Sequence, residues 1–127
     1  MSSNPSQYRR AAIVAAGLSL HMLFAAAQSP RPLLKKYIGN PDTDALLREP
    51  AVQSQLRALV GKQLPHLMRN LDVRSDVELR SGALALAGNA AHGGGLEEGI
   101  VCIADHGPTP LVEAAMFSKG KIAVYAK

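Results

Sequence analysis

The apolar residues of this chain change their spacing once, at Asp72, and that change limits the fold more than any other feature. Before it, Val52, Leu56, Leu59 and Val60 recur at helical spacing, and Leu64, Leu67, Met68 and Leu71 fall on one side of a second short helix. After it the period is two. Val77 and Leu79 alternate with Asp76, Glu78 and Arg80, and Leu84 and Leu86 alternate with alanines from Ala83 to Ala87. Ile100 to Ile103, Leu111 to Phe117 and Ile122 to Tyr125 supply three more apolar runs, divided by glycine- and proline-bearing turns. Connections this short join antiparallel neighbours. The expected fold class is therefore α+β, with N-terminal helices packed on an antiparallel β-meander of about five strands.

Local signals mark the helix ends. Asp42 or Thr43 caps a first helix with Asp44 in its opening turn. Pro50 restarts the helix, because proline suits a first turn and not an interior. Gly61 is the expected stop of the longer helix. Gln28 to Asn40, with two prolines and two lysines, reads as a linker or a short lead-in, so the domain is expected over 41–127.

Residues 1–27 read as an address. Met1 to Arg10 is polar and ends in Arg9-Arg10; Ala11 to Ala27 is apolar except for Ser19 and His21; and three alanines precede Gln28. A positive start, an apolar stretch and small residues before a polar break are the parts of a secretory signal peptide, and cleavage is expected after Ala27. An uncleaved membrane anchor is one alternative, although the run is short for a span of about 20 residues, and a buried helix of the domain is another. On the signal reading the protein is expected in the periplasm or outside the cell, with membrane contact only if the segment is uncleaved.

Composition excludes some functions. The net charge of +4 falls to about +2 without Arg9 and Arg10, too little for a nucleic-acid footprint, and there is no Trp to stack on bases. The single cysteine, Cys102, permits no intramolecular disulfide, and its neighbours Ile100, Val101 and Ile103 make it a small core residue.

One loop is left to carry function. Asn89-Ala90-Ala91-His92-Gly93-Gly94-Gly95 lies between two strands, and three successive glycines exceed what a hairpin tip needs. Binding residues commonly sit on such loops over a rigid scaffold. His-Gly-Gly-Gly occurs in the oxyanion loop of α/β-hydrolases, but no Gly-x-Ser-x-Gly elbow accompanies it. Phosphate-loop and dinucleotide spacings are absent. His92, Glu97, Glu98 and His106 match no strong metal-ligand spacing. Glu97 and Glu98 are neighbours on a strand and point to opposite faces, so they cannot flank one glycosidic bond, and they read as a solvated strand entrance. His66 and His106 read as ordinary helix and turn residues. No catalytic residue, metal or cofactor is expected, and the chain reads as a binding protein and not an enzyme.

An exported chain, a helical first half and a β-meander with a protruding histidine loop resemble the Ivy-type inhibitors of c-type lysozyme. In that family a histidine stands between two disulfide-bonded cysteines ahead of a core strand. Here Asn89-Ala90-Ala91-His92-Gly93-Gly94-Gly95 holds that relation to Ile100–Ile103, with Asn89 and Gly94 where the cysteines would be. The resemblance implies a protein partner, a c-type lysozyme, whose catalytic carboxylates meet His92. It also implies that Asn89, Ala91, Gly93, Gly94 and Gly95 support that histidine. The alternative is an envelope interaction or assembly module without inhibitory activity. With no disulfide, the loop is expected to become ordered only on binding, at a cost of about 1 to 2 kcal/mol per residue fixed.

Overall fold

The computed structural model describes residues 32–104 and 109–127; the stretch read as an export signal and His106 lie outside the described residues. Among these residues four helices precede the strands: α1 (Pro32–Lys35), α2 (Thr43–Arg48), α3 (Pro50–Val60) and α4 (Leu64–Arg69), with a single 3-10 turn at Gly61–Gln63 between the last two. Six strands follow: β1 (Val73–Arg74), β2 (Glu78–Arg80), β3 (Ala83–Asn89), β4 (Glu97–Ala104), β5 (Leu111–Ser118) and β6 (Lys121–Tyr125). The α+β class and the helices-then-meander order are as the spacing predicts.

The helix boundaries follow from the residues that mark them. The Asp42 carboxylate accepts the Ala45 N–H at 3.2 Å and caps α2. Pro50 opens α3 and Gly61, at φ 58, closes it. From Pro32 onward the segment expected to be a linker belongs to the folded body instead. It turns through α1, and Leu34 and Tyr37 enter the core at 3% and 5% exposure. The Tyr37 hydroxyl donates to Glu49, which fixes this lead-in against the start of α3.

All strand pairs are antiparallel, in the order β1-β3-β4-β5-β6, with β2 also on β3. The sixth strand arises because one edge is interrupted. β1 pairs with Gly88 and Asn89, whereas β2 pairs with Ala83 to Ala85. Between them Val77 leaves the ladder for the core, and its carbonyl accepts the Gly39 N–H at 2.9 Å. Val77 is therefore buried while Leu79 is 49% exposed, although simple alternation gives them one face.

One face of the sheet takes the helices. Leu84 and Leu86 from β3, Val101 and Ile103 from β4, and Val112, Ala114 and Met116 from β5 pack with Leu46, Leu47, Val52, Leu56, Val60, Leu67 and Leu71. Full burial of each large aliphatic side chain stabilises the fold by roughly 1.5–3 kcal/mol, so this cluster is the main source of cohesion. The opposite face is lined by smaller side chains, with Ala83, Ala85, Cys102 and Ala104 in a second cluster. Burial, and next the charge of Glu113, push the Cys102 thiol up to about 11, so it stays protonated near neutrality.

The seat of α4 on the sheet depends on one glycine. A Cβ on Gly99 would stand 3.3 Å from each of the Asn70 carbonyl oxygen, Leu67 Cδ1 and Leu71 Cδ2. Glycine at this point of β4 lets the end of α4 lie almost directly on the strand. That close approach brings His66 and Asn70 over the first residues of β4.

Candidate functional site

The loop joining β3 to β4 is ordered by its own backbone. The Gly93 N–H donates to the Ala90 carbonyl at 2.8 Å, and the Leu96 N–H donates to the Gly93 carbonyl at 3.0 Å, giving two consecutive turns. The ladder closes below them: the Ala90 N–H donates to the Glu97 carbonyl at 3.0 Å, and the Glu97 N–H to the Gly93 carbonyl at 2.9 Å. The Asn89 side-chain amide donates to the Ala90 carbonyl at 2.8 Å. No covalent tie is needed for this geometry, and the expectation of a loop ordered only on binding gives way to a hydrogen-bonded one.

Each turn needs a residue at positive φ in its third position, and there the two differ. Gly95 fills that position in the second turn at φ 80, as glycine readily does. His92 fills it in the first turn at φ 60. Left-handed backbone costs an L-residue roughly 1–2 kcal/mol, and histidine is among the few non-glycine types enriched there. Such strain persists only when the surroundings enforce it, and strained residues cluster at active sites and ligand clamps. His92 is exposed, with Ala91, Gly94, Gly95 and Leu96, and Leu96 is 70% exposed.

Beneath the loop lies a cluster whose members look like ordinary surface residues in the sequence. Glu97 faces the helices, and its Oε2 lies 2.8 Å from His66 Nε2. Its Oε1 accepts the Ser118 hydroxyl at 2.7 Å. An ionised carboxylate only accepts, so His66 Nε2 carries the hydrogen. The His66 bond, and after it the Ser118 bond, lower the Glu97 carboxyl from 4.5 to about 2. Glu97 is thus not the solvated strand entrance expected of it; the side chains of His66 and Glu97 are each 27% exposed.

Glu98 points to the opposite face, where its Oε1 accepts the Gly95 N–H at 3.1 Å. The two carboxylates lie on opposite faces of the sheet, Glu97 bonded to the body and Glu98 to the loop, and do not converge on one point. Buried Asn70 completes the support, its amide donating to the Glu98 carbonyl at 3.1 Å and to that of Phe117 at 3.4 Å. Nothing in the sequence announces these partners. His66 and Glu97 lie 31 residues apart, and Ser118 lies a further 21 along. Only the seat of α4 on Gly99 and the pairing of Glu97 with Ser118 across β4 and β5 bring them together.

The cluster has a definite pH signature. The native Glu97 pKa lies below its unfolded value. Its contribution to stability is therefore complete above about pH 4.5 and declines as the pH falls through about 2. The Glu97 side-chain carboxyl resonance is expected to titrate with a midpoint near 2; a midpoint near 4.5 would show the carboxylate free in solution.

Among the described residues no group of three or more His, Cys, Asp or Glu could hold a metal, and no helix is long and apolar enough to cross a membrane. A model of the family described as Inhibitor of vertebrate lysozyme (Ivy) matches residues 51–127, more than half of the chain. The match takes in α3 from its second residue, α4, all six strands and the loop. No curated protein and no solved structure matches.

Proposed function

Because the chain belongs to the family of inhibitors of vertebrate lysozyme, we propose that it is an exported inhibitor that sets its His92 loop into the cleft of a c-type lysozyme. One observation supports the loop's part in this: His92 stands exposed at φ 60 at the tip of a loop whose backbone is already closed by hydrogen bonds. A retaining glycosidase holds its two catalytic carboxyl groups about 5–5.5 Å apart, a gap that one imidazole spans. Hydrogen bonds to a carboxylate are of the strong, charge-assisted kind, so a single side chain can dominate the affinity. An imidazole between the two groups occupies the position of the scissile bond. The inhibitor supplies no chemistry of its own and works by occupation.

The order of the loop bears on how tightly it binds. A segment that is already folded loses less freedom on docking than one that must be fixed at that moment. The two turns and the Asn89 side chain take the part that a disulfide plays elsewhere in the family. Residues 1–27 fit this reading as the export signal, since the partner is met in the periplasm or outside the cell.

Calorimetric titration of the protein into a c-type lysozyme at low salt tests the proposal. Binding at micromolar strength or tighter, with inhibition in a cell-wall lysis assay, is the expected result. No heat and no inhibition would reject it. The envelope interaction module would then take its place; Val73 on β1 and Val124 on β6, 55% and 48% exposed on edge strands at opposite sides of the sheet, favour that second reading.

A further inference from the structure

We propose that Glu97 is a positioning residue for the His92 loop, locking the loop to the body of the protein through His66 and Ser118 before any partner arrives. The inference deepens the reading of the loop as the binding element and rests on it for its consequence in affinity. Three connections meet at this one residue. Its carbonyl and its N–H both close the loop, to Ala90 at 3.0 Å and to Gly93 at 2.9 Å. Its side chain leaves the loop for the body, to His66 on α4 at 2.8 Å and to Ser118 at the end of β5 at 2.7 Å. A loop held only by its own turns can be ordered and still swing as a unit about its two stems. A carboxylate clamped from two other elements removes that swing, because moving the stem now breaks two hydrogen bonds outside the loop.

The neighbouring contacts act in the same direction and on the same stem. Asn70 holds the Glu98 carbonyl, and Glu98 holds the Gly95 N–H from the other face of the sheet. Glu97 differs from them in joining the backbone closure of the loop to the helical layer through one residue. Loss of its side chain is expected to loosen the loop while the core, which lies beyond Gly99, stays closed. Local opening of this kind is read directly by amide hydrogen exchange.

The test compares the protein with its Glu97→Ala, Glu97→Gln and Ser118→Ala variants by residue-resolved amide exchange without any partner. Glu97→Ala is expected to speed exchange at Ala90, Gly93, Leu96 and the amide of position 97 at least tenfold, with the amides of Leu86 and Val101 unchanged. Glu97→Gln keeps the shape and two hydrogen-bonding atoms, and is expected to restore most of the protection. Ser118→Ala removes one clamp, and a smaller acceleration at the same four amides is expected. Unchanged exchange at those amides in Glu97→Ala, or equal acceleration there and in the core, overturns the inference. Should Glu97→Ala fail to fold, Ser118→Ala alone decides by the same comparison. In the lysozyme titration Glu97→Ala is expected to weaken binding about tenfold while His92 remains in place, and unchanged affinity overturns the link to binding. If the unaltered protein does not bind lysozyme, the functional reading fails, whereas the exchange comparison still decides whether Glu97 holds the loop.

Discussion

Replacing His92 with alanine is expected to weaken binding to a c-type lysozyme at least tenfold while leaving the fold intact. Tenfold corresponds to about 1.4 kcal/mol, well within what one buried, charge-assisted contact supplies at an interface. The fold is spared because His92 is exposed and sits outside both apolar clusters. Its positive φ, however, gives the substitution a second effect, since alanine at φ 60 keeps the backbone strain. His92→Gly separates the two effects, because glycine adopts this conformation freely. If the imidazole carries the affinity, both variants lose it. If glycine retains binding and alanine does not, turn geometry is what counts. An unchanged dissociation constant in both, measured by calorimetry, would remove His92 from the mechanism.

Leu67→Ala is expected to cost about 2–5 kcal/mol, the range for deleting a buried leucine side chain and leaving a partly unfilled cavity. For a domain of this size that lowers Tm by roughly 10 °C or more. Leu67 is fully buried, and it is one of the three contacts crowded against Gly99. A six-residue helix such as α4 has little stability of its own and holds its place by packing. The same substitution therefore loosens the seat that presents His66 and Asn70 to the loop base. A thermal shift of only one or two degrees would show that α4 is held by something other than this contact.

The depth to which the sequence can be read differs between the layers. Asp42, Pro50 and Gly61 mark helix ends through backbone chemistry that acts within one turn, and the structure has all three in those roles. The strands of the meander are legible for a similar reason, since period-two alternation and turn residues act between near neighbours. Cys102 is legible as a core residue from the apolar run around it. Leu34 and Tyr37 are not legible as core, because the prolines and lysines around them look like a connection and only the tertiary packing gives those two side chains an apolar neighbour.

The loop shows the same division. Its histidine and glycines stand out in the sequence as a surplus of flexible residues at a strand junction. Its order does not, because a run of three glycines says only what the backbone is free to do. The two turns, the positive φ of His92 and the clamp on Glu97 exist because antiparallel pairing sets Glu97 beside Ser118 and the bare backbone of Gly99 admits α4.

The sequence by itself determined the class of the fold, the order of its elements and the place of the glycine-rich loop between two strands. Those are consequences of spacing and local backbone preference, which act over a few residues. The tertiary structure alone decided that Glu97, His66 and Ser118 meet, that the Glu98 carboxylate reaches back to Gly95, and that hydrogen bonds close the loop. Contacts between residues far apart in the chain depend on register and on how closely two layers approach, and neither quantity is written at any single position.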